Sequence, residues 1–278
     1  MTKTIEPIKT MKLYSNAERI FNELREIGIG LEDPISVEEL LPFDQYHYGG
    51  AGAVDHAIEM CEFKTENRIL EVGSGIGGPA RYIAHKTGCT VTALELQSDL
   101  HEVGVQLTKQ CNLTQSVQHE QGDFLEMELG TASYDGVVSW LVFLHIPNRQ
   151  RLFARCMEML NPGGRLYIED FSRLGTFSQT EQRDLEKKIY CEYLPTPDEY
   201  VDQVATAGFC DIQTADMTAS WTHFVRTRLD AFRAARDRNL RVHGDTTVDG
   251  LDDFYATMRS LYEGGNLGGL RLVATKPE

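Results

Sequence analysis

The feature that most constrains this chain is a glycine-rich turn set between a buried strand and a helix. Arg68-Ile69-Leu70-Glu71-Val72 is a short, apolar, β-branched run of the kind that fills the middle of a sheet. It opens into Gly73-Ser74-Gly75-Ile76-Gly77-Gly78, and Pro79 then stands where a first helical turn accepts it, predicting a helix over about 79–87. Glycines at such a junction admit left-handed dihedrals and let the backbone approach a ligand closely. A strand that leaves through a helix has its next parallel neighbour one crossover away, which implies a parallel sheet with helices on its faces.

The remaining chain repeats that alternation. Thr90-Val91-Thr92-Ala93-Leu94 reads as a second strand and about 98–111 as a second helix, with Ser98 as a cap. Further strands are expected near 117–122, 134–140 and 164–170, with a helix at about 149–160 and a Pro162-Gly163 turn before the fifth strand. The first 60 residues read as helical, broken by a Pro- and aromatic-rich stretch from Leu41 to Gly50. Beyond the fifth strand come helices near 179–190 and 197–207, a strand at about 209–216, two helices within 221–264, and a last strand at Leu270-Arg271-Leu272-Val273-Ala274. The expected architecture is α/β: seven strands, mainly parallel. Residues 1–60 form a helical N-terminal cap, and 61–278 form the main domain with a helical lid insert at about 176–265.

Charge narrows the ligand. The 278 residues carry 27 basic and 42 acidic side chains, a net of −15, which repels phosphate backbones and anionic lipid. Neither nucleic acid nor membrane is expected as a partner. The longest apolar run, Trp140 to Leu144, is far short of the ~20 residues that span a bilayer. Met1 to Pro7 has no apolar core of the secretory type, so a cytoplasmic location is expected. Six cysteines stand singly at 61, 89, 111, 156, 191 and 210, with no Cys-x-x-Cys pair, and no metal is expected.

Two acids give the turn a chemistry. Glu95 closes the second strand, where a carboxylate can accept both hydroxyls of a ribose. Gly122-Asp123-Phe124 follows the third strand, where an acid can accept an adenine amino group and a Phe can pack on the ring. Together with Leu160-Asn161-Pro162-Gly163-Gly164-Arg165-Leu166, these motifs stand in the order of the class I S-adenosylmethionine-dependent methyltransferase family, which the chain resembles over about 45–276. The resemblance implies the Rossmann-like class I methyltransferase fold and S-adenosyl-L-methionine as cofactor. It also implies cofactor contacts from Glu71, Gly73, Ser74, Gly75 and Gly77, from Glu95 and Leu96, from Asp123 and Phe124, and from Trp140. Tyr46, His47 and Tyr48, beside Gly49-Gly50, are expected to close over the cofactor.

Within that class the chain is similar to the small-molecule amine N-methyltransferases, the sarcosine/dimethylglycine and phosphoethanolamine group. The segments that carry the likeness are Tyr14-Ser15, Tyr46-His47-Tyr48-Gly49-Gly50, Val142-Phe143-Leu144-His145, Thr196-Pro197-Asp198-Glu199-Tyr200 and Gly268 to Lys276. The resemblance implies His145 as general base and Tyr14 as its hydrogen-bonding latch; the competing reading makes both packing residues. Leu141 occupies the place of the acid that holds the substrate amine in phosphobase enzymes. The Tyr-Arg phosphate grip is not evident, although Tyr190, Tyr193 and Arg259 can substitute, and Trp221 can wall a cationic amine. A small amine or amino acid is therefore the expected acceptor, on a monomer or homodimer. Other small acceptors (phosphobase, thiol, phenol, arsenical), a nicotinamide-dependent oxidoreductase and a catalytically silent binding subunit stay open.

Overall fold

Seven strands, β1 (Arg68–Val72), β2 (Thr90–Glu95), β3 (Val117–Gln121), β4 (Tyr134–Trp140), β5 (Leu160–Arg173), β6 (Cys210–Asp216) and β7 (Leu267–Thr275), form one sheet in the computed structural model, which describes residues 16–278. The order is β3-β2-β1-β4-β5-β7-β6. Strands β1 to β5 run parallel, and β7 lies antiparallel between β5 and β6. The winding direction reverses between β1 and β4. In an open parallel sheet that reversal leaves a crevice at the carboxyl ends of the strands, where ligands bind.

Both faces of the sheet are covered, and the period-2 alternation of a strand shows it. Leu70, Val137 and Leu166 enter one apolar cluster, whereas their neighbours Ile69, Val138 and Tyr167 enter another on the opposite face. The helices that cover the parallel strands are α3 (Gly50–Cys61), α4 (Gly78–Thr87), α5 (Ser98–Gln110) and α6 (Arg149–Met159). Before them stand α1 (Arg19–Glu26) and α2 (Val37–Asp44). After β5 come α7 (Gln179–Lys188), α8 (Pro197–Thr206), and, between β6 and β7, α9 (Thr218–Ala234), α10 (Arg236–His243) and α11 (Asp245–Glu263).

Three details differ from the sequence expectation. The 221–264 segment holds three helices, because Gly244 (φ +77, ψ 164) stops the chain short and α11 restarts behind it. The expected break at 41–50 is shorter, since α2 passes through Pro42 to Asp44; a Ser36–Glu39 capping box starts the helix and fully buried Leu40 anchors it. Finally, the Pro162-Gly163 turn lies inside β5 as an irregularity, with the register shifting between Tyr134 and Gly136.

Candidate active site

The glycine turn is tied to the end of β2. The Gly73 and Ser74 N–H groups both donate to the Leu94 carbonyl (2.8 and 2.9 Å), and Gly77 N–H donates to Ser74 O (2.8 Å). Gly73, Gly75 and Gly77 have φ of +73°, +55° and +77°, a region where a Cβ is strained. At Gly73 the demand is also steric: a Cβ there would stand 2.4 Å from the Val142 side chain, beyond β4. The two hydrogen bonds to Leu94 bring its neighbour Glu95 against the turn. Its two carboxylate oxygens accept the N–H of Gly75 (2.7 Å) and of Gln97 (2.9 Å).

The turn and the strand ends enclose a cavity of about 270 Å³ at the carboxyl edge of the sheet. Of the expected cofactor residues, Tyr46, His47, Glu71, Gly73, Ser74, Gly75, Glu95, Leu96, Asp123, Phe124 and Trp140 line it. Three buried polar atoms in this lining, Glu71 Oε2, Ser74 Oγ and Trp140 Nε1, have no hydrogen-bond partner among the described residues. Buried polar atoms are rarely left so, and three around one cavity fit a polar ligand. Burial holds the Glu71 carboxyl well above the usual carboxylate range and raises Glu95 too, although the Gln97 and Gly75 N–H groups pull the latter down. Asp123 accepts the Leu125 N–H (2.9 Å). The roof segment is pinned by a fully buried ion pair, Arg81 to Asp44 at 2.9 Å. His47 meets the Gly50 carbonyl at 3.0 Å and lies 5.5 Å from the Trp140 ring.

A second, smaller cavity of about 30 Å³ adjoins the first. Tyr46, Leu141 and His145 line both. Nδ1 of His145 lies 3.1 Å from the Tyr190 carbonyl, which can only accept, so Nδ1 carries the hydrogen and Nε2 keeps a lone pair. Burial pushes the His145 pKa down to about 4 against the raising effect of that carbonyl, so the ring is neutral at pH 7. Leu141 has φ +56°, a conformation that L-residues with side chains avoid, and its N–H donates to Glu169 O (2.8 Å). The strain falls on the wall between the two cavities.

Other expected residues stand elsewhere. Tyr48 lines the second cavity and not the first, because it turns into an aromatic cluster with Trp221 (5.2 Å, edge-on), Phe224 and Phe171. Trp221 reaches neither cavity; its ring covers Gly269, where a Cβ would lie 2.2 Å away. Gly77 does not face the cavity and caps α4. Tyr190 contributes its carbonyl to His145, with no side-chain contact at the cavity lining. The Tyr193 hydroxyl accepts from Gln203 (3.2 Å) at the surface. Arg259 is committed to Asp230 and Glu263 at 3.1 and 3.0 Å. Tyr14 lies outside the described residues. Sequence reading missed Gln97, Asn148, Arg151 and Glu192 in the first cavity and Arg19, Arg228, Phe254 and Tyr255 in the second. Gln97 adjoins the Glu95 motif, and Asn148 and Arg151 closely follow His145, so these were within reach of the same argument; Arg19, Glu192, Arg228, Phe254 and Tyr255 come from other segments, with no local signal.

Residues 70–168 match the methyltransferase domain family. The chain is 27% identical to sarcosine/dimethylglycine N-methyltransferase of Halorhodospira halochloris over 73% of this chain and 72% of that one. It is 23% identical to phosphoethanolamine N-methyltransferase of Plasmodium falciparum over 86% and 88%. Among solved structures, phosphoethanolamine N-methyltransferase 2 of Haemonchus contortus, in complex with phosphomonomethylethanolamine and S-adenosylhomocysteine, superposes with a TM-score of 0.79 at 23% identity. That superposition covers 95% of this chain but only 58% of the Haemonchus chain, so this chain spans under two thirds of that structure's length. No helix among the described residues is long and apolar enough to cross a membrane. The seven-stranded sheet and its switch-point cavity agree with these likenesses: this chain has the class I, Rossmann-like methyltransferase fold, and residues 70–168 of it match the methyltransferase domain.

Proposed function

We propose that this protein transfers a methyl group from S-adenosyl-L-methionine to a small amine or amino acid, through the two adjoining cavities. The observation that carries the reading is the first cavity itself. It combines the strained glycine turn, Glu95 at the end of β2 and three orphaned polar atoms. Glu95 would hold the ribose hydroxyls, Asp123 and Phe124 the adenine, and Glu71, Ser74 and Trp140 the polar end of the cofactor. S-adenosyl-L-methionine, when bound, supplies an electrophilic sulfonium methyl. The family matched by sequence and the S-adenosylhomocysteine named with the Haemonchus structure support this choice over a nicotinamide, which gains no support from the comparisons.

The chain's own part is orientation, exclusion of water and proton handling. His145 Nε2, at the shared wall, would receive the proton an ammonium acceptor must lose before its nitrogen can attack. With a pKa near 4 the ring is a relay, passing the proton on, and not its resting place. Tyr14 would latch His145 from a helical cap formed by residues 1–60, as the family resemblance implies. Leu141 gives the wall an apolar surface where an acid would otherwise hold the amine. A carbon, oxygen, sulfur or phosphobase acceptor uses the same first cavity, so the acceptor is the open variable. Calorimetry comparing S-adenosylhomocysteine with NAD tests the cofactor: binding of NAD alone would end the reading. A mass-spectrometric screen of amines, amino acids, thiols and phenols for a single methyl addition tests the acceptor; methylation confined to thiols or phenols would reject the amine.

A further inference from the structure

Gly77 and Gly78 close the glycine motif but do not line the first cavity. Their small size is used on the other side of the turn. A Cβ at Gly78 would lie 2.2 Å from the Asp44 carbonyl oxygen and 2.8 Å from Gln45 Nε2, and one at Gly77 would lie 3.0 Å from Arg81 Nη1. The two glycines therefore admit a close joint between the start of α4 and the end of α2. Arg81 fills that joint.

Arg81 is fully buried, and its guanidinium is shared among three parts of the fold. Nη1 donates to the Ile76 carbonyl in the glycine turn (2.7 Å), and to Thr108 Oγ1 (3.3 Å) and the Gly104 carbonyl (3.4 Å) on α5. Nη2 donates to Asp44 Oδ2 (2.9 Å), and the other oxygen of that carboxylate accepts Gln45 Nε2 (2.8 Å). Neither side chain of the Arg81–Asp44 pair reaches solvent. Withdrawing two charges from water is costly, and well-packed apolar residues of similar size often fill such a space as well or better, so stability is weak ground for the pair. Its placement gives a stronger one. Ile76 and Asp44 both line the first cavity, Ile76 from the turn and Asp44 at the head of the segment that brings Tyr46 and His47 to it. The same guanidinium charge draws down Glu71, a third lining residue, against the effect of burial. One buried cation thus holds two sides of the cavity while standing outside its lining.

We propose that Arg81, through Asp44, is a positioning residue for the cofactor: it holds the glycine turn and the 44–50 segment in one register, so that a cofactor bound at the turn also orders the segment. The inference rests on the methyltransferase reading above and deepens it. A lysine at this place keeps the charge but ends in one compact ammonium, which does not span the Ile76 carbonyl and Asp44 as the planar fork does. When turn and segment are in register only part of the time, apparent affinity falls by that fraction.

The test is calorimetry with S-adenosylhomocysteine, and amide exchange with and without it, on the full chain as wild type, Arg81→Lys and the apolar double variant Arg81→Met/Asp44→Leu. In wild type the ligand should slow exchange at both 73–77 and 45–50. Arg81→Lys should bind about tenfold or more weakly, and its bound ligand should protect 73–77 while 45–50 exchange as in the free protein. Asp44 is intact in that variant, so the loss there is not that of a contact between Asp44 and the ligand. The apolar double variant leaves no unpaired buried charge and should unfold near the wild-type temperature, yet bind as weakly. Wild-type affinity in either folded variant makes the pair structural and overturns the proposal, as does full protection of 45–50 in Arg81→Lys or none in wild type. Failure of both variants to fold makes the pair a requirement of the fold and overturns it too. If S-adenosylhomocysteine does not bind wild type, the methyltransferase reading fails first and takes this one with it.

Discussion

Because the Glu95 carboxylate already accepts the Gly75 and Gln97 N–H groups, its removal acts twice, on the ligand hydroxyls and on the shape of the turn. Glu95→Ala should weaken S-adenosylhomocysteine binding by about 1–3 kcal/mol, read by calorimetry; unchanged affinity would show that this carboxylate does not face the ribose. Asp123→Ala should cost less and make the site more tolerant of adenine analogues. His145 carries a sharper expectation, since burial holds its pKa near 4, below the ordinary 6.5. If its lone pair relays the proton, activity should keep its His145-dependent part down to about pH 4. His145→Ala should lower kcat by about 100-fold with cofactor affinity unchanged. Near-wild-type single-turnover rates in His145→Ala would remove the relay.

At the scale of elements, the junctions are more demanding than the helices and strands they join. Gly73 combines φ +73° with a Cβ position 2.4 Å from Val142, so Gly73→Ala must move either the turn or the segment after β4. A loss of about 2 kcal/mol or more in urea unfolding is expected, and a cost near zero would mean the turn adapts freely. Helix α1 is fastened to α10 through Glu23, which meets Arg238 and accepts from His243 Nε2 (2.6 Å), and through Glu26 with Arg241 (2.7 Å). Burial raises the Glu23 carboxyl, but the His243 and Arg238 contacts overcome it and bring its pKa down to about 2. A depressed carboxylate contributes stability that is present above its unfolded pKa and lost as pH falls through the folded one. The α1–α10 contact should therefore loosen between about pH 4.5 and 2. Glu23→Gln should speed amide exchange in α1 at neutral pH while leaving β1 to β5 protected; equal protection in both proteins would make the contact incidental.

At the scale of the whole molecule, three imidazoles are held neutral in different places: His47 ahead of α3, His119 within β3 and His145 beyond β4. Burial brings His47 and His145 to about 4 and His119 to about 3, the last helped by the nearby Arg81 charge. A histidine whose folded pKa lies below 6.5 stabilises the fold fully above that value and loses its share as pH falls toward the folded pKa. Asp170 works in the opposite sense: burial raises it to about 6, and its share is present below the unfolded carboxylate pKa and lost as pH rises through 6. Ring resonances of the three histidines should stay neutral from pH 8 to 5, and an inflection near 6.5 for any of them would show that its ring is solvated. Much of the molecule was legible beforehand. The glycine turn, Glu95 and Asp123 could be read because each is a local demand: left-handed dihedrals, a strand end, an acid one residue past a glycine. The parallel direction of β1 to β5 followed from crossover length. What the chain could not announce were contacts made between distant segments. Tyr48 and Trp221 joined an aromatic core, Arg259 was absorbed by Asp230 and Glu263, and Arg228 entered the cavity. Periodicity tells which face of a helix is apolar, but the rotation and tilt with which α9 and α11 pack decide which polar side chain meets a cavity and which meets a carboxylate. That choice is made by long-range packing, and only the tertiary structure decides it.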